Sequence, residues 1–246
     1  MLGNASGVRV TGIDACRRGW VAVSLEVPGR AAGQAGAGPG AVPPDGACRA
    51  GPVRVDASLA GILAEAIVVV VGIDMPLGLL ESGWREADRI ARGLLGPRRS
   101  SVFAVPPRAV WAEPGYQAAN RRCRELTGQG FSIQAWGLRA KLLEADRYRQ
   151  ACRHPLYEVH PELAFGAMAG APLARSKHTT AGRDLRRELL SRAGLTVPPV
   201  PLAAVTDTLD AAAVAWSAWR IATGRARTLP DRPQHDRHGL EIAIRY

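Results

Sequence analysis

The 246-residue chain contains few cysteines, and their spacing predicts neither a metal site nor a disulfide framework. The four cysteines, Cys16, Cys48, Cys123 and Cys152, are scattered, and no two have the C-x-x-C spacing. This argues against a zinc ion and predicts reduced thiols. Met1–Ser6 lacks the basic and then apolar pattern of a secretory signal, so we expect a cytoplasmic protein.

No apolar run in the sequence has the length needed to cross a membrane. A membrane-spanning helix needs about 20 predominantly apolar residues, and the strongly apolar run Ile67–Ile73 is far shorter. We therefore expect no membrane association. The length suits one large domain over residues 1–246, which can bury a substantial core without disulfides.

Lysine is scarce, and almost all of the positive charge is carried by arginine. The only lysines are Lys141 and Lys177, although the formal net charge is +10. Such a charge suits a polyanionic partner. Abundant alanine, glycine and proline beside arginine also fit the codon bias of a GC-rich genome, so the charge alone leaves both interpretations open.

Two segments combine a β-strand pattern with a terminal aspartate. The alternation over Val8–Asp14, followed by a turn and the run Trp20–Val27, predicts a β-hairpin with Asp14 where the first strand ends. The β-branched run Ile67–Ile73 predicts a strand buried on both faces, and it also ends in Gly-Ile-Asp, at Asp74. In an open α/β sheet the carboxyl edge binds ligands, so both aspartates are candidate site residues.

The segments around these strands predict a mixed α/β order. Pro28–Gly51 is rich in Gly, Ala and Pro and predicts a flexible insertion before a short third strand, Pro52–Asp56. The predicted helix Leu59–Ala66 then gives the order β-β-β-α-β. Further predicted elements are a strand from Leu156, the helices Glu162–Ala169, Thr180–Ala193 and Leu202–Thr223, and a closing edge strand, Gly239–Tyr246.

A long helical region follows the fourth strand, and we expect residues 82–152 to form a helical cap. Ser82 is the predicted N-cap of its first helix, which ends at Gly96, and two more helices are predicted over Tyr116–Thr127 and Ile133–Cys152. Such a cap could select the substrate or mediate dimerisation. Its tryptophans are Trp84, Trp111 and Trp136. They could stack on bases, but a tryptophan in a helical segment more often packs in the core.

The late predicted helix carries two aspartates on one face. Asp207 and Asp210 are three residues apart, and the positions one turn away are alanine or valine rather than basic. Like charges near an apolar surface are costly unless a positive group compensates them. A divalent cation is one such group, and carboxylate oxygens suit Mg²⁺ or Mn²⁺.

The four aspartates could converge on one metal centre. In that arrangement Asp14 bridges two ions about 3.5–4 Å apart, Asp74 and Asp210 each hold one, and Asp207 assists or exchanges. Such a centre activates water and stabilises the leaving oxygen in phosphodiester cleavage. All four residues are therefore candidates both for catalysis and for metal binding.

Glu158, His160 and Glu162 lie near the end of the later strand and are second candidates for metal binding or proton transfer. Each acid also has a structural explanation when it is taken singly. An aspartate at a strand end often belongs to a turn, Asp207 could cap a helix from Leu209 onward, and Glu158 and His160 could form a buried hydrogen-bonded pair. Two Gly-Ile-Asp strand ends together with Asp-x-x-Asp favour a shared site.

Several polar and basic residues are candidates for substrate binding. They are Arg98, Arg99, Ser100, Ser101, His160, Lys177 and Arg186. Side chains of these types contact phosphate oxygens in nucleic-acid complexes. For Arg186 alone, an ordinary solvated surface charge is the favoured interpretation.

Taken together, the motifs resemble domain-of-unknown-function family 429, whose members are described as predicted RNase H-like nucleases. The shared motifs are Gly-Ile-Asp near the start, Gly-Ile-Asp-Met-Pro-Leu-Gly, Arg-x-Ser-Ser-Val-Phe, Glu-Val-His-Pro-Glu, Ser-Lys-His with a following Gly-Arg, and Asp-x-x-Asp-Ala. The resemblance extends from Val10 to the segment Asp236–Gly239, with Pro28–Gly51 as an insertion particular to this chain.

The resemblance implies an RNase H-like fold, in which a mixed sheet of strand order 3-2-1-4-5 is flanked by helices. Catalytic acids of that superfamily come from the first strand, the fourth strand and a late helix, which are the places of Asp14, Asp74 and the pair Asp207 and Asp210. The arrangement is similar to that of the RuvC-type Holliday-junction resolvases, except that aspartate rather than glutamate follows the fourth strand. Because such enzymes act on a two-fold symmetric substrate, the resemblance also suggests a homodimer.

Three functions are compatible with these observations. The leading prediction is a nuclease that hydrolyses phosphodiester bonds of DNA or RNA with Mg²⁺ or Mn²⁺. The alternative is a non-catalytic nucleic-acid-binding or regulatory protein on the same fold. An ATPase of the actin and sugar-kinase type ranks last, because those proteins need two such domains and because Asp14–Gly19 lacks the expected Thr or Ser.

Overall fold

The computed structural model describes residues 8–27, 49–64, 70–151 and 155–246, which build a mixed β-sheet with helices on both faces. The strands in these residues are β1 (Val8–Cys16), β2 (Gly19–Val27), β3 (Arg49–Asp56), β4 (Val70–Ile73), β5 (Leu156–Val159), β6 (Thr228–His235) and β7 (Glu241–Arg245). Their order across the sheet is β3-β2-β1-β4-β5-β7-β6.

The first five strands follow the predicted order 3-2-1-4-5, which confirms the expected RNase H-like mixed sheet. β2 is antiparallel to β1 and to β3, whereas β4 and β5 continue the sheet in parallel on the other side of β1. Two more strands extend the sheet beyond β5, so the full order differs in detail from the prediction.

The last strand is not an edge strand, and the prediction for Gly239–Tyr246 is wrong on this point. β7 pairs in parallel with β5 and antiparallel with β6, so β6 forms the edge of the sheet. The sequence of β6 did not predict a strand because it contains Pro230 and Pro233. Proline cannot donate to a ladder, and it is tolerated at an edge, where one side of the strand has no partner.

Helices account for most of the remaining described residues. They are α1 (Leu59–Leu63), α2 (Glu86–Leu95), α3 (Arg108–Trp111), α4 (Tyr116–Thr127), α5 (Ile133–Gly137), α6 (Arg139–Ala151), α7 (Pro161–Ala169), α8 (Thr180–Arg192) and α9 (Val205–Ala222). A 3₁₀ helix over Gly96–Ser101 follows α2 directly. Along the chain, helices α2 to α6 follow β4 and precede β5, in the stretch predicted to be the cap.

Two helix predictions in this stretch are wrong in their boundaries. Ser82 does not cap α2, which begins at Glu86; the N-cap is Arg85, whose side chain makes no capping hydrogen bond. The single helix predicted over Ile133–Cys152 is instead two helices, with a break after Gly137. Glycine weakens a helix interior, which accounts for the break.

Parts of several predicted elements lie outside the described residues. These parts include residues 28–48 of the predicted insertion, residues 67–69 of the predicted fourth strand, and Cys152. The described part of the fourth strand, Val70–Ile73, is buried as predicted, whereas Arg49–Gly51 belong to β3 rather than to the insertion. Within the described ranges, no helix combines the length and the apolar character needed to cross a bilayer.

Helix α9 lies directly against the centre of the sheet because two glycines leave room for it. A Cβ atom at Gly12 of β1 would lie 2.0 Å from the backbone nitrogen of Ala215 and 2.3 Å from the carbonyl oxygen of Ala211. Gly72 of β4 pairs with Gly12 and faces the same helix. The alanine-rich face of α9 therefore approaches the backbone of both strands, and this approach brings Asp210 to the end of β1 and β4.

Candidate metal centre

Three aspartates from three separate elements meet at the carboxyl edge of the sheet. Asp14 lies in β1, Asp74 directly follows β4 and donates its amide to the carbonyl of Ile13 at 2.8 Å, and Asp210 lies in α9. One carboxylate oxygen from each aspartate lies within 4.8 Å of the other two. Asp14 and Asp210 are buried, and Asp74 is partly exposed. We call these three residues the carboxylate triad.

Burial and mutual repulsion disfavour the ionised form of the triad. Burial raises the pKa of Asp14 well above its ordinary value, and the charges of Asp74 and Asp210 raise that pKa further. Burial also raises the pKa of Asp74 and that of Asp210 to about 6 each, although the nearby Lys177 opposes both shifts. Additional positive charge at this point would therefore stabilise the ionised carboxylates.

Lys177 already supplies one positive charge to the triad. It lies in the connection between α7 and α8, and its Nζ forms an ion pair with Asp210. Burial disfavours the protonated lysine, but the charges of Asp210, Asp74 and Asp14 outweigh burial and raise the pKa of Lys177. The residue that the sequence suggests for substrate binding thus contacts a carboxylate of the site itself.

The donor set of the triad fits a divalent cation. Carboxylate oxygens are hard ligands of the kind that Mg²⁺ and Mn²⁺ prefer. The ionised triad carries three negative charges and Lys177 one positive charge, which leaves two negative charges that one divalent cation would balance. Asp14, Asp74 and Asp210 are the residues that would hold such an ion.

Asp207 lies in the same cleft but outside the triad. It is partly buried in the first turn of α9, and its Oδ1 accepts a hydrogen bond from the hydroxyl of Thr206 at 3.1 Å. Its charge is a further, smaller cause of the raised pKa of Asp14. Because α9 begins at Val205, Asp207 is not the helix cap that the alternative explanation requires. Its contact with a metal ion stays a prediction.

Glu158 at the end of β5 is held by a buried arginine. Arg85 Nη2 donates to both carboxylate oxygens at 2.7 and 2.6 Å, and the amide of Leu77 donates to Oε2 at 2.7 Å. Burial raises the pKa of Glu158 to about 7, although Arg85 opposes the shift. The partner of Glu158 is therefore Arg85, and not His160 as the sequence suggested. The contact with Leu77 also fixes the loop that carries Asp74.

His160 and Glu162 line the cleft, and protein groups surround both side chains. His160 Nε2 lies 3.2 Å from the carbonyl oxygen of Ser101, its Nδ1 is buried without a partner among the described residues, and burial lowers its pKa. Glu162 accepts two hydrogen bonds from Arg186 Nη2, at 2.6 and 2.8 Å. Arg186 is only 1% exposed, so its interpretation as a solvated surface charge is wrong.

The predicted basic loop is the 3₁₀ helix, which lines a cleft of about 490 Å³ together with the triad residues Asp14 and Asp74. Arg98 lines this cleft but donates to two backbone carbonyls after α7, at 3.4 and 2.8 Å. Ser100 and Ser101 both line the cleft. Ser100 is exposed, whereas Ser101 is partly buried and its hydroxyl donates to a backbone carbonyl at 2.8 Å. Arg99 is exposed and lies outside the lining.

Sequence reasoning missed Arg85 and Asp88, which form a buried charged pair beside Glu158. Arg85 Nη2 lies 3.4 Å from Asp88 Oδ1, and Asp88 also accepts a hydrogen bond from a backbone amide at 2.9 Å. Charged residues are almost never fully buried unless they are paired, so the sequence leads one to expect both residues at the surface. One signal is present: Asp88 has helical spacing with Ala91 and Leu95 on the apolar face of α2.

The three tryptophans of the predicted cap pack into the protein. Trp111 is 1% exposed, and its ring stacks with that of Trp136 at a centroid distance of 6.2 Å. Trp84 is partly buried against the same apolar cluster. These positions support core packing, which was the favoured interpretation, over base stacking.

Comparisons with known proteins identify the family of the chain. A comparison with curated proteins gives no match. Among solved structures, the chain is similar to RuvC of Thermus thermophilus with 15% sequence identity and a TM-score of 0.38, over 89% of this chain and 98% of that one. The family model described as "Protein of unknown function (DUF429)" matches residues 12–235. The chain therefore belongs to the DUF429 family.

Proposed function

We propose that this protein is a divalent-metal-dependent nuclease that hydrolyses phosphodiester bonds of DNA or RNA. The observation that carries the proposal is the carboxylate triad, in which acids in β1, directly after β4 and in α9 present oxygens within 4.8 Å of one another, two of them buried. When bound by such carboxylates, divalent ions activate water and stabilise a leaving oxygen at a phosphodiester. The net charge of +10 is consistent with a polyanionic substrate.

Residues of the cleft would bind the metal ions and contact the substrate. Asp14, Asp74 and Asp210 would hold the cation or cations, and Asp207 would assist from the cleft wall. Ser100, at the exposed lip of the cleft, and Lys177, partly exposed beside Asp210, are placed to contact the phosphates of a bound strand.

We assign Glu158 a positioning role in this site. Its oxygens accept hydrogen bonds from Arg85 and from the amide of Leu77. Leu77 lies three residues after Asp74, so the bond anchors the loop that carries a triad ligand. Through Arg85, the same carboxylate links this loop to the start of α2 in the cap.

Nuclease activity is tested with Mn²⁺ on single-stranded DNA, duplex DNA, RNA and a four-way DNA junction. We expect cleavage of at least one substrate that requires the added cation and falls by 10²-fold or more in Asp210→Asn, because this change removes a carboxylate that would hold the metal ion. Asp231→Asn, an exposed change on β6, is the matched control and should retain activity. Cleavage that persists in Asp210→Asn, or in excess chelator, would contradict the proposal.

A non-catalytic nucleic-acid-binding protein is the second candidate, and Lys177 is the observation that favours it. Its ammonium group already compensates Asp210, as it would in a site that had exchanged a metal ion for an internal cation. Such a protein would bind DNA or RNA with the same affinity in the presence and absence of divalent ions.

Lys177→Met tests whether the ammonium group of Lys177 competes with a divalent cation for Asp210. In the nuclease, the ammonium competes with the cation for Asp210, so its removal should tighten Mn²⁺ binding by about tenfold, which corresponds to about 1.4 kcal/mol. The dissociation constant is measured by competition with a fluorescent chelator. Lys141→Met, which changes a lysine paired with Glu144 away from the triad, should leave the constant unchanged. Unchanged or weaker Mn²⁺ binding in Lys177→Met would argue against this competition.

A further inference from the structure

A second cavity of about 520 Å³ lies beside the carboxylate cleft, and none of the triad aspartates lines it. One wall is apolar and is built by the end of α2, by α7 and by the residues that follow α7. The other wall carries three arginines from the end of α9 and the segment after it. They are Arg220, Arg225 and Arg227.

Two arginines of this wall, Arg220 and Arg227, have no acidic partner among the described residues. Glu162, the acid in the cavity lining, is bound through both oxygens by Arg186 on its other side. The cavity therefore presents a net positive charge to anything that enters it.

Arg220 is held in an unfavourable environment. Its Nη2 donates to the carbonyl of Arg225 at 2.8 Å, and its guanidinium lies 4.7 Å from the ring centre of Trp216, but its Nε is buried without a hydrogen-bond partner among the described residues. Burial and the neighbouring charges of Arg227 and Arg225 lower the pKa of Arg220, although Tyr246 opposes the shift. A buried donor without an acceptor and like charges held together are both unfavourable. An anion bound in the cavity would relieve the repulsion between the arginines.

The opposite wall determines what kind of anion fits. Leu163 and Ala167 of α7 with Leu95 of α2 give it an apolar surface, and Gly166 lines it without a side chain. A guanidinium donates to phosphate oxygens in a fork that matches their geometry. The volume lies within the range of cavities that hold small organic ligands, so the ligand should combine a phosphate with an apolar body.

We propose that this cavity binds a nucleotide, with its phosphate on Arg220 and Arg227 and its base and sugar against the apolar wall. The site for a phosphate-bearing anion stands independently of the carboxylate triad, whereas the choice of a nucleotide rests on the proposed function. Glu162 lines both cavities, so a strand lying in the carboxylate cleft has a short path to the arginine wall. The nucleotide is either a free mononucleotide or one residue of such a strand.

Calorimetric titration with thymidine 5′-monophosphate, in chelator and in the Asp14→Asn background, tests the site without any contribution from a metal ion. We expect binding that is weakened tenfold or more by Arg227→Gln, a change at an exposed position. Gly166→Leu should abolish binding by filling the cavity; a Cβ atom there would lie 3.6 Å from the nearest heavy atom, so the helix can accept a side chain. Arg121→Gln, an exposed change on α4, is the charge-matched control and should have no effect.

The remaining arms identify the source of the ligand and the results that would overturn the proposal. If Gly166→Leu also weakens binding of a thymidine dodecamer without terminal phosphates, the cavity holds one nucleotide of a strand; if only the mononucleotide is affected, the ligand is free. The proposal is overturned by absence of mononucleotide binding, by equal affinity for inorganic phosphate alone, or by binding that ignores both variants and is lost in Lys177→Met. The last result would place the nucleotide in the carboxylate cleft.

Discussion

Asp14→Asn should make the metal-free protein more stable at pH 8 than its parent. The charged form of Asp14 is disfavoured by burial and by repulsion from Asp74 and Asp210, and its pKa is raised well above 3.8. Asparagine removes that charge, and its Oδ1 can still accept the hydrogen bond that Asp14 receives from the amide of Ala15 at 2.7 Å. A gain of about 1 kcal/mol would raise the melting temperature by about 2–4 °C in a chain of this size.

The advantage of Asp14→Asn should shrink as the pH falls. A carboxyl group whose pKa is raised on folding contributes stability that is fully present below its unfolded pKa and is lost as the pH rises through the folded pKa. The parent therefore recovers stability on acidification toward pH 4, whereas asparagine does not titrate. Asp74 and Asp210, with pKa values of about 6, are present in both proteins, so the difference between parent and variant reports on Asp14.

Thermal unfolding in chelator at pH 5 and pH 8 measures this difference. Asp231→Asn is the control, because Asp231 is exposed on β6, and exposed changes of this kind usually alter stability by less than about 0.5 kcal/mol. If Asp14→Asn is less stable than the parent at pH 8 in chelator, the repulsion inferred for the triad is not present.

Gly12→Ala should destabilise the protein by about 3 kcal/mol or more, because backbone atoms block the new methyl group. A Cβ atom at Gly12 would lie 2.0 Å from the nitrogen of Ala215 and 2.3 Å from the carbonyl oxygen of Ala211. No rotation of a side chain can relieve such contacts, so α9 must move away from β1. That movement would separate Asp210 from Asp14, and Mn²⁺ binding should weaken together with stability.

Chemical denaturation measures the free energy of unfolding of Gly12→Ala, with Gly93→Ala as the matched control. Gly93 lies inside α2, and a Cβ atom there would meet nothing within 4 Å. The alanine at that position should be neutral or should stabilise the helix by roughly 0.5–1 kcal/mol. Equal stability of the two variants would show that α9 does not need the close approach at Gly12 to hold Asp210 in place.

The strands that carry Asp14 and Asp74 could be predicted from the sequence because their signals are local. Alternation over β1 and the β-branched run before Asp74 each mark a strand, and Gly-Ile-Asp marks its end. Gly12 and Gly72, which lie in these two motifs, leave room for α9 against the sheet. The spacing of Asp207 and Asp210 on that helix was a third local signal for the site.

Other features could not be predicted because they depend on contacts between distant segments. Lys177 lies in a turn and is 33 residues from Asp210, so no periodic pattern connects them. Arg85 and Arg186 carry charges that normally imply exposure, yet each is buried by pairing with a glutamate from another helix or strand. The edge strand β6 was missed because its two prolines resemble those of a loop.

The central claim is that Asp14, Asp74 and Asp210 hold a divalent cation, and titration of Mn²⁺ into the metal-free protein tests it most directly. Calorimetry on the parent, Asp14→Asn and Asp231→Asn should give binding in the parent and the control and none in Asp14→Asn. At a hundredfold excess of Mn²⁺ over its dissociation constant, the parent should also gain about 2.7 kcal/mol of stability, which Asp14→Asn should not gain. Equal Mn²⁺ binding by the parent and Asp14→Asn would contradict the claim, as would the absence of binding in the parent.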